Sequence, residues 1–429
     1  MKEKLKSLAL ALLIVFSLVQ SYYLIYQLPG SDSVITSETN YVKTENMGQE
    51  QAVEQFIFPD QMVVHLGEDR HTVFYPRTTF YNLIYSRLEG RSFENFQRRT
   101  VQSADWNVIR MKNAGFELSF PGGIPVPLLQ RVMKLSSDPV FEGESINRIW
   151  IYIDDNGKKV HALFFSARGD VVYEASKADL TAQDVQQHVD FGQNWTPYTT
   201  ADGKVYLPKE NMSMVQTLIP IGVFSTEQMQ RSLFFDPSIT RNIQEKDGSE
   251  IYTDSKHSLQ IRQEQRWMSY ADPAVPTSGN STPAEDVLAA VDFVNQHGGW
   301  DGSYRLMLQD GIGHMTDVLF QQYYNAYPIL DTATFRYGTM RMQVQQETVS
   351  LYERSLLYKK EGSGTKSAVE LPGGAKLVNR LHIAAGKQEI TGIAPYYHAE
   401  LKDDGLQLTP VWRVQLGNGG VVTIGPEEK

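Results

Sequence analysis

Residues 149–165 read IWIYIDDNGKKVHALFF. Ile149 to Ile153 is an unbroken apolar run, too short for a helix that packs one face and of the right length for a strand buried on both. Asp154-Asp155-Asn156-Gly157 is a turn, because Asn-Gly accepts the positive φ that a tight hairpin needs. Val160 to Phe165 then returns alongside. Residues 170–174 add a third strand. The spacing therefore predicts an antiparallel sheet, and the rest of the chain is read around it.

Toward the N-terminus, residues 106–111 and 115–120 read as two strands joined by a turn at 113–115, and Pro121-Gly122-Gly123 stops the second. Residues 61–66 read as a strand. Residues 77–88 read as a helix, since Phe80, Leu83, Ile84 and Leu88 share a face. Toward the C-terminus three helix starts are marked. Thr181 is followed by Asp184, Ser225 by Gln228, and Thr282 by Pro283 and Glu285, so a hydroxyl caps free N–H groups while the third residue reaches back. The last of these helices carries Val287, Leu288, Val291 and Val294 and stops at Gly298-Gly299.

A hairpin is expected over 240–253, turning at Asp247-Gly248. Residues 271–282 (ADPAVPTSGNST) read as a linker. Over 334–357, Met340, Met342 and Val344 alternate with Arg341 and Gln343 in strand fashion. Residues 359–367 read as a charged loop, 371–385 as a helix, and 390–401 and 409–416 as closing strands. The class is α+β, with antiparallel sheets and helices on their faces.

The other decisive stretch is residues 7–28, SLALALLIVFSLVQSYYLIYQL, which contains no charge. A helix rising ~1.5 Å per residue needs about 20 apolar residues to cross the ~30 Å hydrocarbon core. Lys2, Lys4 and Lys6 precede it against Glu3, which places the N-terminus in the cytoplasm and the bulk of the chain outside. Tyr22, Tyr23 and Tyr26 fall at the outer end, where amphipathic rings favour the headgroup zone. A cleaved signal peptide has a shorter apolar core of ~7–15 residues and a small-residue cleavage site. Neither is present, so an uncleaved single-pass anchor in the cell membrane is expected. Within it Ser17, Gln20 and Ser21 lie on one face above Leu10 and Leu13. Polar and small residues in lipid seek partner helices; a Gln near enough to the outer interface to meet water is the alternative.

These readings divide the chain into a cytoplasmic tail (1–6), a transmembrane helix (7–28) and a polar stalk (29–55). An N-terminal α+β domain (56–142), a central one (143–270), the linker (271–282) and a C-terminal domain (283–429) follow.

Composition narrows the function. The chain has 429 residues, a net charge of -10 and no cysteine. Disulfides, thiolate metal sites and cysteine nucleophiles are excluded. There is no dense Lys/Arg patch, so nucleic acid is not an expected partner. The nine histidines are scattered and none forms the i, i+4 pair of a helical zinc site. Ser363-Gly364-Thr365-Lys366 fits a serine–lysine acyl-transfer string but falls in the expected loop, not at a helix start. Asp154-Asp155-Asn156 lacks the bidentate acid of a calcium loop. No catalytic residue, cofactor site or metal site is expected, and the design suits a protein that works by contact.

The strings Leu233-Phe234-Phe235-Asp236-Pro237-Ser238-Ile239-Thr240-Arg241, Asp247-Gly248-Ser249 and Ile251-Tyr252-Thr253-Asp254 resemble the YycH (WalH) family of Gram-positive bacteria. Tyr324-Asn325-Ala326-Tyr327-Pro328-Ile329 and Pro410-Val411-Trp412 extend the resemblance, as does the basic N-terminus with one span. Ser255 departs from it, standing where glycine is expected. The resemblance implies a non-enzymatic regulator of the WalK–WalR (YycG–YycF) two-component system. It implies contact with the WalK sensor kinase and with YycI (WalI), control of cell-wall metabolism, and a C-terminal domain like YycI. A homodimer stays open. The rival classes are an anchored envelope enzyme or ligand-binding module acting on cell-wall material, and an anchored inhibitor of a secreted protease.

Overall fold

The 149–165 hairpin forms as read: Ser145–Ile153 pairs antiparallel with Val160–Ser166, with Trp150 opposite Leu163 and Ile153 opposite Val160. Gly157 takes φ 65° in the turn, where the Asp154 carboxylate accepts from the N–H groups of Lys158 and Lys159. The computed structural model describes residues 6, 13, 15–17, 20, 46–154, 156–262, 264, 266–274, 281–309, 315–362, 364–403 and 405–427. Two units are distinguished, residues 1–43 and residues 44–429; all that follows in this subsection concerns the second.

Among the described residues the hairpin lies within a ten-stranded sheet. Its order is Tyr206–Pro208, Pro197–Thr200, Arg70–Phe74, Gln61–Gly67, Ala114–Pro125, Ser145–Ile153, Val160–Ser166, Val171–Ala178, Ser92–Thr100, Lys134–Leu135. The apolar run at 149–153 is explained by burial on both faces. Ile149, Ile151 and Ile153 join Phe116, Leu118, Ala162 and Phe164 in the main core. Trp150 and Tyr152 point the other way, to Leu163, Phe165 and Val172, under Trp106 and Ile109. Full burial of each such side chain is worth about 1.5–3 kcal/mol against exposure.

A second sheet, of fourteen strands among the described residues, starts at the edge strand Arg241–Gln244. It runs through Glu250–Thr253, Ser258–Arg262, Trp267–Ala271, Thr348–Ser355, Thr339–Gln345 and Thr316–Tyr324, which also pairs with Ser303–Gln309. Tyr327–Leu330 hands it on, by a parallel pairing, to Ile390–Lys402. Gly405–Leu416, which also pairs with Val421–Ile424, then Met212–Ile219 and Thr365–Leu371 complete the sheet. Helix Pro283–Gln296 lays Val287, Val291 and Val294 on the main core. Helix Gly374–Ala385 buries Leu377 and Leu381 in a separate core with Trp412 and Val414. The α+β class holds, and the capping boxes at Thr181, Ser225 and Thr282 are all formed.

Several expectations are corrected. Residues 106–111 are not a strand but part of helix Trp106–Lys112, because the Asp105 side chain accepts from the N–H groups of Asn107 and Val108. The 334–357 stretch turns at Gln346-Glu347, where both residues take positive φ. The charged loop is shorter than read, since Thr365–Leu371 is a strand, and the following helix starts only at Gly374. Lys366 is thus on a strand, which removes the helix start that serine–lysine chemistry needs; Ser363 lies outside the described residues.

The expected boundary at 142/143 falls inside one sheet, because Phe116 pairs with Ile151 across it. The expected break at 271–282 also joins elements of one sheet, since Tyr270 pairs with Tyr352; residues 275–280 lie outside the described set. The chain passes from one sheet to the other between Pro208 and Met212.

The expected stalk of 29–55 does not extend to its end. Met47 and Gly48 both donate their N–H to the Gly298 carbonyl, and Gln49 exchanges backbone bonds with Trp300. Val53 and Phe56 are buried, and the Phe56 ring lies 4.3 Å from that of Trp300. The stretch looks polar because its apolar residues, Val34, Ile35, Val42, Met47 and Val53 among them, are scattered through it without a period.

Candidate functional site

Of the proposed partner face, Leu13, Ser17 and Gln20 are helical and exposed; Leu10 and Ser21 lie outside the described residues. At 100° per residue these three fall within a stripe roughly 60° wide. Phe16 is exposed beside it, while Val15, also exposed, lies on the opposite side of the helix. Among the described residues no helix is long and apolar enough to cross a membrane.

In the second unit, titratable side chains that no sequence motif marks meet in the ten-stranded sheet. Glu117 lies on the strand Ala114–Pro125, in the string Gly-Phe-Glu-Leu-Ser-Phe, whose single charge among apolar neighbours was the available signal. Its Oε1 meets His65 Nε2 at 2.9 Å and Arg110 Nε at 3.1 Å. Arg148 Nη1 approaches Oε2 at 3.4 Å. His65 Nδ1 then meets His71 Nδ1 at 2.9 Å, and His71 Nε2 meets Asp69 Oδ1 at 3.1 Å. His65 is buried completely, while Asp69 reaches solvent.

Burial works against the Glu117 charge, but Arg148, the His65 hydrogen bond and Arg110 outweigh it and hold the carboxyl well below the usual carboxylate range. Glu117 is therefore an acceptor only, so His65 Nε2–H donates to it and His65 Nδ1 accepts from His71 Nδ1–H. A neutral His71 has a single N–H for two acceptors, His65 Nδ1 and the Asp69 carboxylate. Burial and the neighbouring His65 push the His71 ring down to about 4.

This geometry resembles a general acid–base relay, but each Glu117 oxygen is already engaged by a cation. It orders the sheet instead. Two further clusters behave alike. Arg354 Nη2 meets Asp301 Oδ2 at 3.0 Å with both groups buried. His161, read as a half-buried packing residue, does stack on Tyr152 but also meets Glu174 at 2.8 Å. Among the described residues no group of three or more His, Asp or Glu is placed to hold a metal ion. A cleft of about 380 Å³ reaches Glu117, Arg148 and Tyr206. Another, of about 710 Å³, runs between Glu144 and Arg168 on one side and Pro283 and Thr316 on the other.

The stretch that carried the resemblance forms one edge of the large sheet. Helix Thr226–Leu233 leads through a short 3-10 turn, Pro237–Ile239, into edge strand Arg241–Gln244. Ser255 takes φ 76° in the turn that follows Glu250–Thr253, so the glycine-type conformation is kept although the residue is serine. Thr253 Oγ1 accepts from the Ser255 N–H, which supports that turn.

Comparison with known proteins agrees with these strings. Residues 3–193 match the family model of the YycH protein N-terminal domain, and residues 202–424 that of the YycH protein C-terminal domain. The division at 193–202 falls close to the change of sheet. The chain is 22% identical over 449 residues to the "Two-component system WalR/WalK regulatory protein YycH" of Bacillus subtilis (strain 168), covering 99% of this chain and 96% of that one. The crystal structure of YycH from Bacillus subtilis has the same fold, with a TM-score of 0.68 at 18% identity over 89% of this chain and 98% of that one. An uncharacterized protein from Eubacterium rectale is more distant, with a TM-score of 0.36 at 11% identity over 54% of this chain and 89% of that one. The resemblance first read from residues 233–254 and the closing strands is thus met along nearly the whole sequence, and the chain belongs to the YycH family.

Proposed function

We propose that this protein is a membrane-anchored, non-enzymatic regulator of a WalK-type sensor histidine kinase, restraining it together with a YycI partner and so controlling cell-wall metabolism genes. The observation that carries the reading is the match of both halves to the family, with a curated relative named as a WalR/WalK regulatory protein across 99% of the chain.

A sensor kinase is a two-state device, and a second protein alters it only by binding one state better than the other. A bias of ~1–3 kcal/mol changes the output about 5–150-fold. In this reading the stripe of Leu10, Leu13, Ser17, Gln20 and Ser21 docks on the kinase or YycI helices in the membrane, and the outer lobes shift that docking. The test replaces Gln20 and Ser21 by Leu in the full chain and measures kinase co-purification and regulon output. Loss of both supports the face; wild-type values for both refute it. A chain cut back to residues 1–30 that still regulates makes the outer part a modulator rather than the effector.

A further inference from the structure

Strand Arg241–Gln244 is paired on one side only among the described residues, with Glu250–Thr253. Its own residues are all exposed. Natural edges are commonly blunted by proline, bulges or cover; this one has no proline and no register shift along its length. Large apolar side chains instead stand open beside it. Phe235 is 90% exposed, Ile239 62% and Ile243 52%.

The hydrogen-bond phase of the strand fixes which groups point outward. The Glu245 N–H donates to the Ser249 carbonyl. Bonded and non-bonded pairs alternate along an antiparallel ladder. Ile243 and Arg241 therefore spend their N–H and C=O groups on the neighbouring strand, whereas Asn242 and Gln244 aim theirs away from the sheet.

We propose that this edge joins two copies of the chain by antiparallel pairing about a two-fold axis at Ile243, making one sheet continuous across the dimer. In that register Asn242 and Gln244 of each copy exchange backbone hydrogen bonds with Gln244 and Asn242 of the other. Ile243 stands opposite Ile243 in a non-bonded pair, the kind with the closest side chains. Arg241 of each copy stands opposite Glu245 of the other, so charge matches twice about the axis. Sliding by two residues in either direction sets Ile243 against Arg241 or Glu245 and loses the match. A self-complementary edge of this kind selects a second copy as occupant over an unrelated strand. The inference stands independently of which kinase the protein serves.

The chain has no cysteine, so Ile243→Cys introduces a single thiol. A non-bonded antiparallel pair holds its Cα atoms ~4.5 Å apart, within disulfide reach. The full chain in detergent micelles is oxidised mildly and resolved without reductant. Ile243→Cys gives a disulfide-linked dimer, and Ile383→Cys, 84% exposed on helix Gly374–Ala385, gives a monomer. Arg241→Glu in the Ile243→Cys background lowers the dimer yield about tenfold, and Arg241→Glu with Glu245→Arg restores it. The proposal is overturned by cross-linking no better than at residue 383, or by a charge reversal that the double exchange does not rescue. It is equally overturned if, in native membranes, the thiol of the Ile243→Cys variant captures a different polypeptide in place of its own copy.

Discussion

The chain Glu117–His65–His71, buried up to the exposed Asp69, makes a definite claim about acid. His71 is neutral in the folded protein down to about 4, whereas an unfolded histidine takes its proton near ~6.5. Between those values the unfolded state binds more protons, so this residue's contribution is fully present above ~6.5 and is lost as pH falls toward 4. Integrating over a shift of that size gives about 2 kcal/mol lost between pH 7 and pH 5 from His71 alone. His188, also buried and pushed down to about 4 mainly by burial, adds a loss of the same sign. The variant that isolates the effect is His71→Asn, whose amide N–H still donates to His65 Nδ1 but does not titrate. Urea unfolding of the full chain in detergent, followed by tryptophan fluorescence, reads the region directly, since Trp150 lies 5.7 Å from the His65 ring. The variant starts less stable at pH 7, and its loss on going to pH 5 is smaller than that of the wild type by about 2 kcal/mol. Equal losses in the two proteins refute the neutral-His71 assignment.

Other groups give independent checks. Arg354→Met strands the Asp301 carboxylate, which is buried with it, and costs about 3–5 kcal/mol in denaturant unfolding; adding Asp301→Asn recovers most of that loss. Thr282→Ala removes the capping box of helix Pro283–Gln296 and lowers stability by about 1 kcal/mol, with faster amide exchange in the helix's first turn. A Cβ at Gly48 would lie 2.1 Å from the Trp300 carbonyl oxygen. Gly48→Ala therefore frees residues 46–51 from the body, seen as new protease cleavage there while the strands of both sheets stay protected.

How much of this was legible follows from what each signal depends on. Capping boxes and the Asn-Gly hairpin are local, so Thr181, Ser225, Thr282 and residues 149–165 read correctly. Residues 106–111 read as a strand because Trp106, Val108 and Ile109 are β-prone, whereas the Asp105 side chain caps a helix there. Domain boundaries failed for a different reason. A turn-rich stretch marks where the chain leaves an element, not whether it returns to the same sheet, and both 142/143 and 271–282 return. The Glu117 cluster joins residues 65, 71, 110, 117 and 148 from several elements. No spacing rule couples them, and only the lone charge in a buried strand hinted at it.

The placement of charge bears on how such a body would act on a partner. Glu117 and Asp301 are buried and each is held by arginine. Paired charge inside a fold is poor evidence of stability but punishes rearrangement, since parting the pair leaves an uncompensated ion. The same holds at the entry of the chain, where residues 47–49 are bonded to 298–300 and Phe56 packs with Trp300 and Phe320. A body built this way resists internal deformation and is better suited to move as a unit. On the proposed function that is the useful property. A regulator that biases a two-state kinase delivers only its difference in binding free energy between the states, and a soft body or a loose tether would spread that difference over its own internal motions. Detaching residues 46–51 by Gly48→Ala should then weaken regulation without weakening membrane attachment or the fold of either sheet, which separates a mechanical link from a merely stabilising one.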